Sequence, residues 1–537
     1  MSRLALALSA CLLVCACAPE VTPPPPDPVD PNGEITTAVA AEPDTIDPQK
    51  ESFPSEIAQT LMVFEPLLTF DPKTLQPIPA AARALPLVSD DALTVTFTLR
   101  GGLTYSDGAP VTAADFVYGW TRLCDPNVAG DYAFVGYVIA GCEHWNNLDP
   151  KRASSSELDA ARRAVGIAAP DTTHVVFTLT RPAPYFLAIA ALWVGVPTRA
   201  TDLVTGGDTW TEPSTFIGNG PFKLTEWRHN ERLVFERSDR YRAPAKLRRW
   251  TKQIVAEPAV ATLAYRNGEL DVAPGGKNPD AVAAPGSCAY YIGFNTRRAP
   301  FDDPAVRLGF ARSLDRDALL RDIADVPGAP ALSLIPPGLP GSDGSDRTQS
   351  FDPPAARALV AASRYATSMP RIQFTYADRS ASPQASYAKW AIAQWAAGLG
   401  IAVSPDPRSP FGGPIIRTID ATPQLFVLGW CSDYPDPQGW LSTIFHTGST
   451  VTHTGYTSLE FDSLVDRADV ERDPSNRLDL YRQAQRVLTK DAPAAFLYST
   501  EQRWLVSPRL RGYALTASDW EFGQFTIATM YVGKPGF

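Results

Sequence analysis

Proline constrains this chain more than any other residue type: 51 of its 537 residues are proline, and most of them lie between short apolar runs. Proline lacks a backbone donor and clashes with the preceding helical turn, so a chain punctuated this way cannot build a bundle of long helices. Many short elements joined by loops remain, and at ~100–200 residues per domain the length supplies several packed units. Hydrophobic residues make up 45% and charged residues 20% of the chain, a globular balance that excludes a disordered or coiled-coil chain.

Two periodicities alternate between the prolines. In residues 93–99, Val95, Phe97 and Leu99 alternate with Thr94, Thr96 and Thr98, and residues 174–179 set Val175, Phe177 and Leu179 on one side in the same way. A period of two rich in β-branched residues predicts half-buried strands. Residues 304–314, 386–397 and 477–488 carry helical spacing instead. Strands and helices alternating through the second half predict α/β lobes. Ser106-Asp107-Gly108 and Asn219-Gly220-Pro221 are turn sequences, and no fixed-period repeat is present, which excludes a solenoid or propeller. The net charge of −10 and pI near 5.2 leave no basic surface for nucleic acid.

The amino terminus reads as an export signal. Arg3 precedes an apolar run at 4–14, long enough for a signal core and too short to span a bilayer. Cys11, Cys15 and Cys17 sit at or near its end, and the region resembles a bacterial lipoprotein leader, with Val14-Cys15-Ala16-Cys17 making Cys17 the lipidated residue in preference to Cys11. The leader then spans 1–17, and a Pro-rich tether containing Pro23-Pro24-Pro25-Pro26 spans 18–35. The folded body is therefore expected outside the cytoplasm, anchored to the membrane by lipid. Cys124, Cys142, Cys288 and Cys431 form an even set for such an oxidising compartment, with three pairings open.

Catalytic constellations are missing. The sequence has no zincin, nucleophile-elbow or P-loop motif, and no C-x-x-C spacing outside the leader. Among five histidines only His446 and His453 lie near each other, in a Gly/Ser/Thr-rich loop, and they are read as solvated loop residues. Neither an enzyme nor a cofactor or metal site is indicated. One segment concentrates aromatic and acidic residues: a buried-strand pattern at 425–429 runs into Trp430-Cys431-Ser432-Asp433-Tyr434-Pro435-Asp436-Pro437. A carboxylate at a strand end, walled by large rings, can meet a cation once water is excluded. The same residues also suit a plain strand and turn.

Six ordered motifs carry a resemblance over 42–512. They are Glu42-Pro43-Asp44-Thr45-Ile46-Asp47-Pro48, Phe64-Glu65-Pro66-Leu67-Leu68, Phe97-Thr98-Leu99-Arg100 continuing through Tyr105-Ser106-Asp107-Gly108-Ala109-Pro110 to Tyr118, Asn219-Gly220-Pro221-Phe222 with Gly268-Glu269-Leu270-Asp271, Phe294-Asn295 to Pro300-Phe301, and 430–437. In this order they resemble family 5 of the extracytoplasmic solute-binding proteins, the oligopeptide, dipeptide and nickel receptors of ABC importers. The resemblance implies an α/β, two-lobed, periplasmic-binding-protein-like fold of type II, with an extra subdomain and a hinge between the lobes. It places lobe I at 36–70, 196–287 and 503–537, the extra subdomain at 71–195, and lobe II at 288–502.

The oligopeptide branch is the nearest likeness, through Cys288-Ala289-Tyr290-Tyr291 and Gly429-Trp430-Cys431. It implies a Cys288–Cys431 disulfide, which leaves Cys124 with Cys142. It also implies that Asp433 binds a peptide ammonium, that Gly429 and Cys431 offer backbone groups, that Trp430 forms a wall, and that Tyr132, Glu51 and Phe53 reach the ligand. The branch often has arginine where this chain has Val427, so the partner of the peptide's other end is altered. The implied function is a monomeric, lipid-anchored receptor that hands oligopeptides to an ABC permease. The alternatives are another cargo on the same fold (dipeptide, oligosaccharide or nickel chelate) or a surface lipoprotein without transport.

Overall fold

The predicted strands and helices form where their periodicity places them. The run at 93–99 becomes the strand Thr94–Thr98, paired antiparallel with His174–Thr178 so that Phe97 faces Val175 and both are fully buried. The helical segments become Pro304–Arg312, Pro383–Leu399 and Pro474–Asp491. Many prolines turn out to start helices, since Pro54–Val63, Pro258–Arg266 and Pro353–Ala362 also begin on one. At the first turn a backbone donor has no helical partner to lose. Aspartate completes the start in several: Asp303, Asp352 and Asp473 each accept a backbone N–H of the first turn, worth ~1 kcal/mol apiece.

The computed structural model describes residues 28–324, 326–377, 383–409, 419–449 and 451–534. The leader, Cys17 and most of the tether lie outside these. The tether expected to run to 35 gives way sooner. Val29 bridges Gly533, the strand Glu34–Val39 follows, and Ile35 is in the core at 1% exposure, because its neighbours Arg249–Ile254 and Val272–Pro274 pair with that strand on both sides.

An 11-stranded mixed sheet runs through the described residues. At one end, Phe222–Arg228, Arg232–Arg237, Arg249–Ile254, Glu34–Val39 and Val272–Pro274 lie side by side. At the other end are Leu425–Cys431, Ile372–Ala377 and Val403–Arg408. Two 13-residue strands, Val282–Phe294 and Ala494–Val506, join the ends. Val282–Pro285 pairs with 504–501 and Ala289–Gly293 with 499–494, and register shifts fall between Pro285 and Ala289 and between Tyr290 and Tyr291. Such irregularities bend a strand pair locally, where the two ends of the sheet meet.

Separate cores support the two ends and an inserted unit. Ile35, Phe64, Phe222, Phe235 and Trp250 fill the first lobe, and Phe97, Trp120, Phe177 and Trp193 fill the insert. The second lobe has two cores, one around Phe294, Phe310 and Trp395 and one around Tyr291, Trp440 and Phe496. Tyr434 of the second lobe is buried among the insert's core residues, and Arg181 of the insert meets the buried Asp469 of the second lobe at 3.1 Å. The lobes are therefore in contact across the seam. Both body disulfides are formed, Cys124–Cys142 inside the insert and Cys288–Cys431 between neighbouring strands of the second lobe.

Candidate functional site

The strand Leu425–Cys431 starts in the second lobe's core and ends at the seam. Leu425, Phe426 and Val427 are buried, whereas Gly429 and Cys431 are exposed. One edge pairs with Val282–Phe294 along its length, while the other touches Ile372–Ala377 only at Leu425. The Cys288 amide donates to Thr500 Oγ1 at 3.2 Å, so the Cys288 backbone faces away from the Cys431 strand. In an antiparallel ladder that makes Cys288–Cys431 a non-hydrogen-bonded pair, and the N–H and C=O groups of Cys431 and Gly429 point to the open edge. Trp430 lies between them, half-buried, and its Nε1 donates to the Gly439 carbonyl at 3.1 Å.

The chain then turns and delivers Asp433 to the seam. Tyr132, on the short helical segment Asp131–Gly136 of the insert, donates its hydroxyl to Asp433 Oδ1 at 3.0 Å. The Tyr132 ring stands edge-on to Trp193 at 4.9 Å, and Trp193 edge-on to Trp520 at 4.8 Å. Trp520 Nε1 donates to the Ser432 carbonyl at 3.1 Å, which fixes the turn that carries Asp433. The three rings brace the carboxylate from the insert and the first lobe.

Asp433 lines a chamber of about 190 Å³ together with Glu65, Tyr241, Arg242, Trp193 and Trp520. Arg242 pairs with Glu65 at 2.5 Å, and Tyr241 donates to the same carboxylate at 2.5 Å. Among the described residues no cation pairs with Asp433. Burial pushes its carboxyl up to about 7, with the Tyr132 hydrogen bond opposing the rise. The chamber thus holds a part-buried carboxylate that has no counter-charge among the described residues, an arrangement suited to a small cationic group.

Glu51 and Phe53 fall on different sides of their loop. The Glu51 carboxyl is buried at 1% exposure, accepts the Thr60 hydroxyl, keeps one oxygen without a partner, and is held well above the usual carboxylate range by burial. It points into the first lobe and does not line the Asp433 chamber. Phe53 is 58% exposed and borders a neighbouring hollow of about 520 Å³ with Trp250, Trp504 and Trp520. Trp520 thus borders both spaces. Between Glu51 and Phe53, Ser52 Oγ donates to Asp131 at 2.7 Å, which ties this loop to the segment carrying Tyr132. Val427 is 3% exposed within the second lobe's core and presents nothing to the cleft.

Trp520, Trp193 and the Glu65–Arg242 pair were not singled out from the sequence as site residues. The Trp520 neighbourhood, Asp519-Trp520-Glu521-Phe522, has the same aromatic and acidic mixture as 430–437, which was the available signal. His446 pairs with Asp466 at 3.3 Å, and among the described residues no group of three or more His, Cys, Asp or Glu is placed to hold a metal. No helix of the described residues is long and apolar enough to cross a membrane.

Comparison with known proteins agrees with this architecture. The family model for bacterial extracellular solute-binding proteins, family 5 Middle, matches residues 76–451. The periplasmic oligopeptide-binding protein OppA of Escherichia coli (strain K12) is 30% identical over 497 residues, covering 87% of each chain. The OppA of Salmonella typhimurium is 29% identical over 488 residues, again covering 87% of each. Among solved structures, the unliganded open form of the periplasmic murein tripeptide-binding protein MppA superposes with a TM-score of 0.79 at 23% identity, over 94% of this chain and 98% of that one. OppA of Burkholderia pseudomallei gives 0.72 at 25% identity, over 94% and 99%. The two-lobed mixed sheet, the crossover strands and the family match together establish that this chain belongs to the bacterial extracellular solute-binding proteins of family 5.

Proposed function

We propose that the chain is an extracytoplasmic receptor of an ABC importer, anchored by lipid at Cys17, that captures oligopeptides between its lobes and hands them to the permease. The observation that carries this reading is Asp433: a part-buried carboxylate at the lobe seam, raised by burial, bonded to Tyr132 and without a counter-charge among the described residues. A peptide ammonium supplies that charge and takes over the Tyr132 contact. The ligand backbone adds as a strand along the open edge at Gly429 and Cys431, which gives affinity independent of its side chains. Trp430 and Phe53 serve as walls, and Glu51 acts by setting the loop that carries Phe53 rather than by touching the ligand. The matched relatives bear oligopeptide-binding and murein tripeptide-binding names, which supports a peptide cargo.

The buried Val427 favours a ligand whose other end is not fixed by a cation at this position. Titration calorimetry with a free-amine tripeptide, its N-acetylated twin and an oligosaccharide tests the reading. The free amine should bind at least ~30-fold more tightly than its twin. Equal affinity for the twins, or saturable binding of the sugar alone, would refute an ammonium-directed peptide site.

A further inference from the structure

The seam between the insert and the second lobe encloses another hollow, of about 340 Å³, which shares no lining residue with the Asp433 chamber. Its walls are mostly apolar, with Gln76, Tyr185 and three charged residues among them. Val88, Phe186 and Leu187 come from the insert, and Pro435, Pro437 and Leu478 from the second lobe. Pro435 and Pro437 belong to the turn that holds Asp433, so this hollow lies behind that turn. Small-molecule sites are of ~300–1,000 Å³, mostly apolar, and favour boundaries between packed units, all of which hold here.

The few charged groups at its edge are not equivalent. Arg477 is held by both oxygens of Asp436 at 2.7 Å each, so that pair is neutral. Arg472 is exposed, donates only to the Asp90 backbone carbonyl at 3.2 Å, and among the described residues has no carboxylate partner. The hollow is thus a mostly apolar space with one guanidinium at its edge that has no carboxylate partner among the described residues. A guanidinium presents a planar set of donors matched to a carboxylate.

We propose that this hollow is a second ligand site, for an amphipathic carboxylate whose apolar body lies between Val88, Phe186 and Leu478 and whose acid group meets Arg472. It is separate from the peptide cleft in both position and charge preference, since Asp433 calls for a cation and Arg472 for an anion.

Calorimetry of the whole chain with decanoate, and with decyltrimethylammonium as the same tail bearing the opposite head, tests the proposal. Decanoate should bind saturably at one per chain and more tightly than the cation. Leu478→Trp, at a half-buried wall position, should fill the hollow and weaken decanoate at least ~tenfold. Val88→Glu, at a position 44% exposed and tolerant of change, should do the same and provides a second probe if the tryptophan variant does not fold. Arg472→Gln should abolish the preference for decanoate over the cation, and Asp433→Asn should leave decanoate affinity unchanged. No saturable binding, affinity indifferent to both wall variants, or loss of decanoate binding in Asp433→Asn would overturn the proposal.

Discussion

Replacing Asp433 by asparagine separates charge from shape, because the amide keeps the side-chain outline and can still accept from Tyr132. In the unliganded protein burial holds the carboxyl at about 7, far above its ordinary value. Ionising it inside the fold therefore costs ~4 kcal/mol more than in water, a cost that a bound ammonium offsets. Removing one partner of such a hydrogen-bonded charge pair costs ~2–5 kcal/mol, so the variant should bind a free-amine tripeptide at least ~30-fold more weakly at pH 7.5. The pH profile is the sharper readout. At pH 5 only ~1 in 100 unliganded molecules holds the carboxylate, so affinity should fall ~100-fold from its plateau, while on the alkaline side the ligand amine loses its proton near ~8. Binding should therefore peak between about pH 7 and 8 in the parent chain and lose its acid limb in Asp433→Asn. Asp519, which burial raises to about 8, lies outside the chamber lining and titrates in both forms, so the difference isolates Asp433. Stability moves the other way. A carboxyl raised on folding costs nothing below the unfolded value near 4 and destabilises progressively as pH rises towards 7, so the variant should melt as the parent does at pH 4 and higher at pH 8. Calorimetry at pH 5, 7 and 9 together with melting curves checks both. An asparagine variant that binds within twofold of the parent and retains the acid limb would refute the reasoning.

Gly130→Ala should destabilise by ~1–3 kcal/mol and weaken ligand binding, because its Cβ would stand 1.9 Å from the Gln49 carbonyl and the clash displaces the segment carrying Tyr132. Thermal melting and calorimetry read the two effects. Serine at both Cys288 and Cys431 should lower stability by ~2–5 kcal/mol in denaturant titrations, since that bond spans a sequence separation of 143. Arg181→Gln leaves Asp469 its Ser442 and Tyr481 bonds but removes a link across the seam, so peptide affinity should fall by a few-fold (~1 kcal/mol) and small-angle scattering of the unliganded chain should show a larger radius. Cys17→Ala should release the chain from membrane pellets into the soluble fraction, and mass spectrometry of the parent should find a lipid on Cys17.

How much of this was legible in the sequence depended on the range of the interactions. Strand Thr94–Thr98 and helix Pro474–Asp491 were readable because alternation and 3.6-residue spacing are local properties. The segment that carries Asp433 stood out because its strand, rings and acids are contiguous, but those residues equally suited a plain turn, and the role of Asp433 came only from the family resemblance. Trp520 was not legible, because its bond to Ser432 joins residues 88 apart and no local rule links them. Glu51 shows the converse. The resemblance brings its loop to the ligand, but the helix Pro54–Val63 follows so closely that Thr60 takes the Glu51 carboxyl inward. The tether's end was also misplaced by a few residues, because composition says nothing of the partners that draw Ile35 into the first lobe's sheet. The Arg181–Asp469 link, 288 residues apart, exists only once the seam has closed.

The proposed capture rests on a single encounter, between a ligand ammonium and Asp433 with the ligand backbone beside Gly429 and Cys431. A crystal structure of the chain with a bound free-amine tripeptide tests it most directly. It should place the ammonium nitrogen within ion-pair distance of Asp433 and the peptide backbone hydrogen-bonded to the open edge of Leu425–Cys431. A peptide bound with its ammonium away from Asp433, or leaving that strand edge untouched, would contradict it.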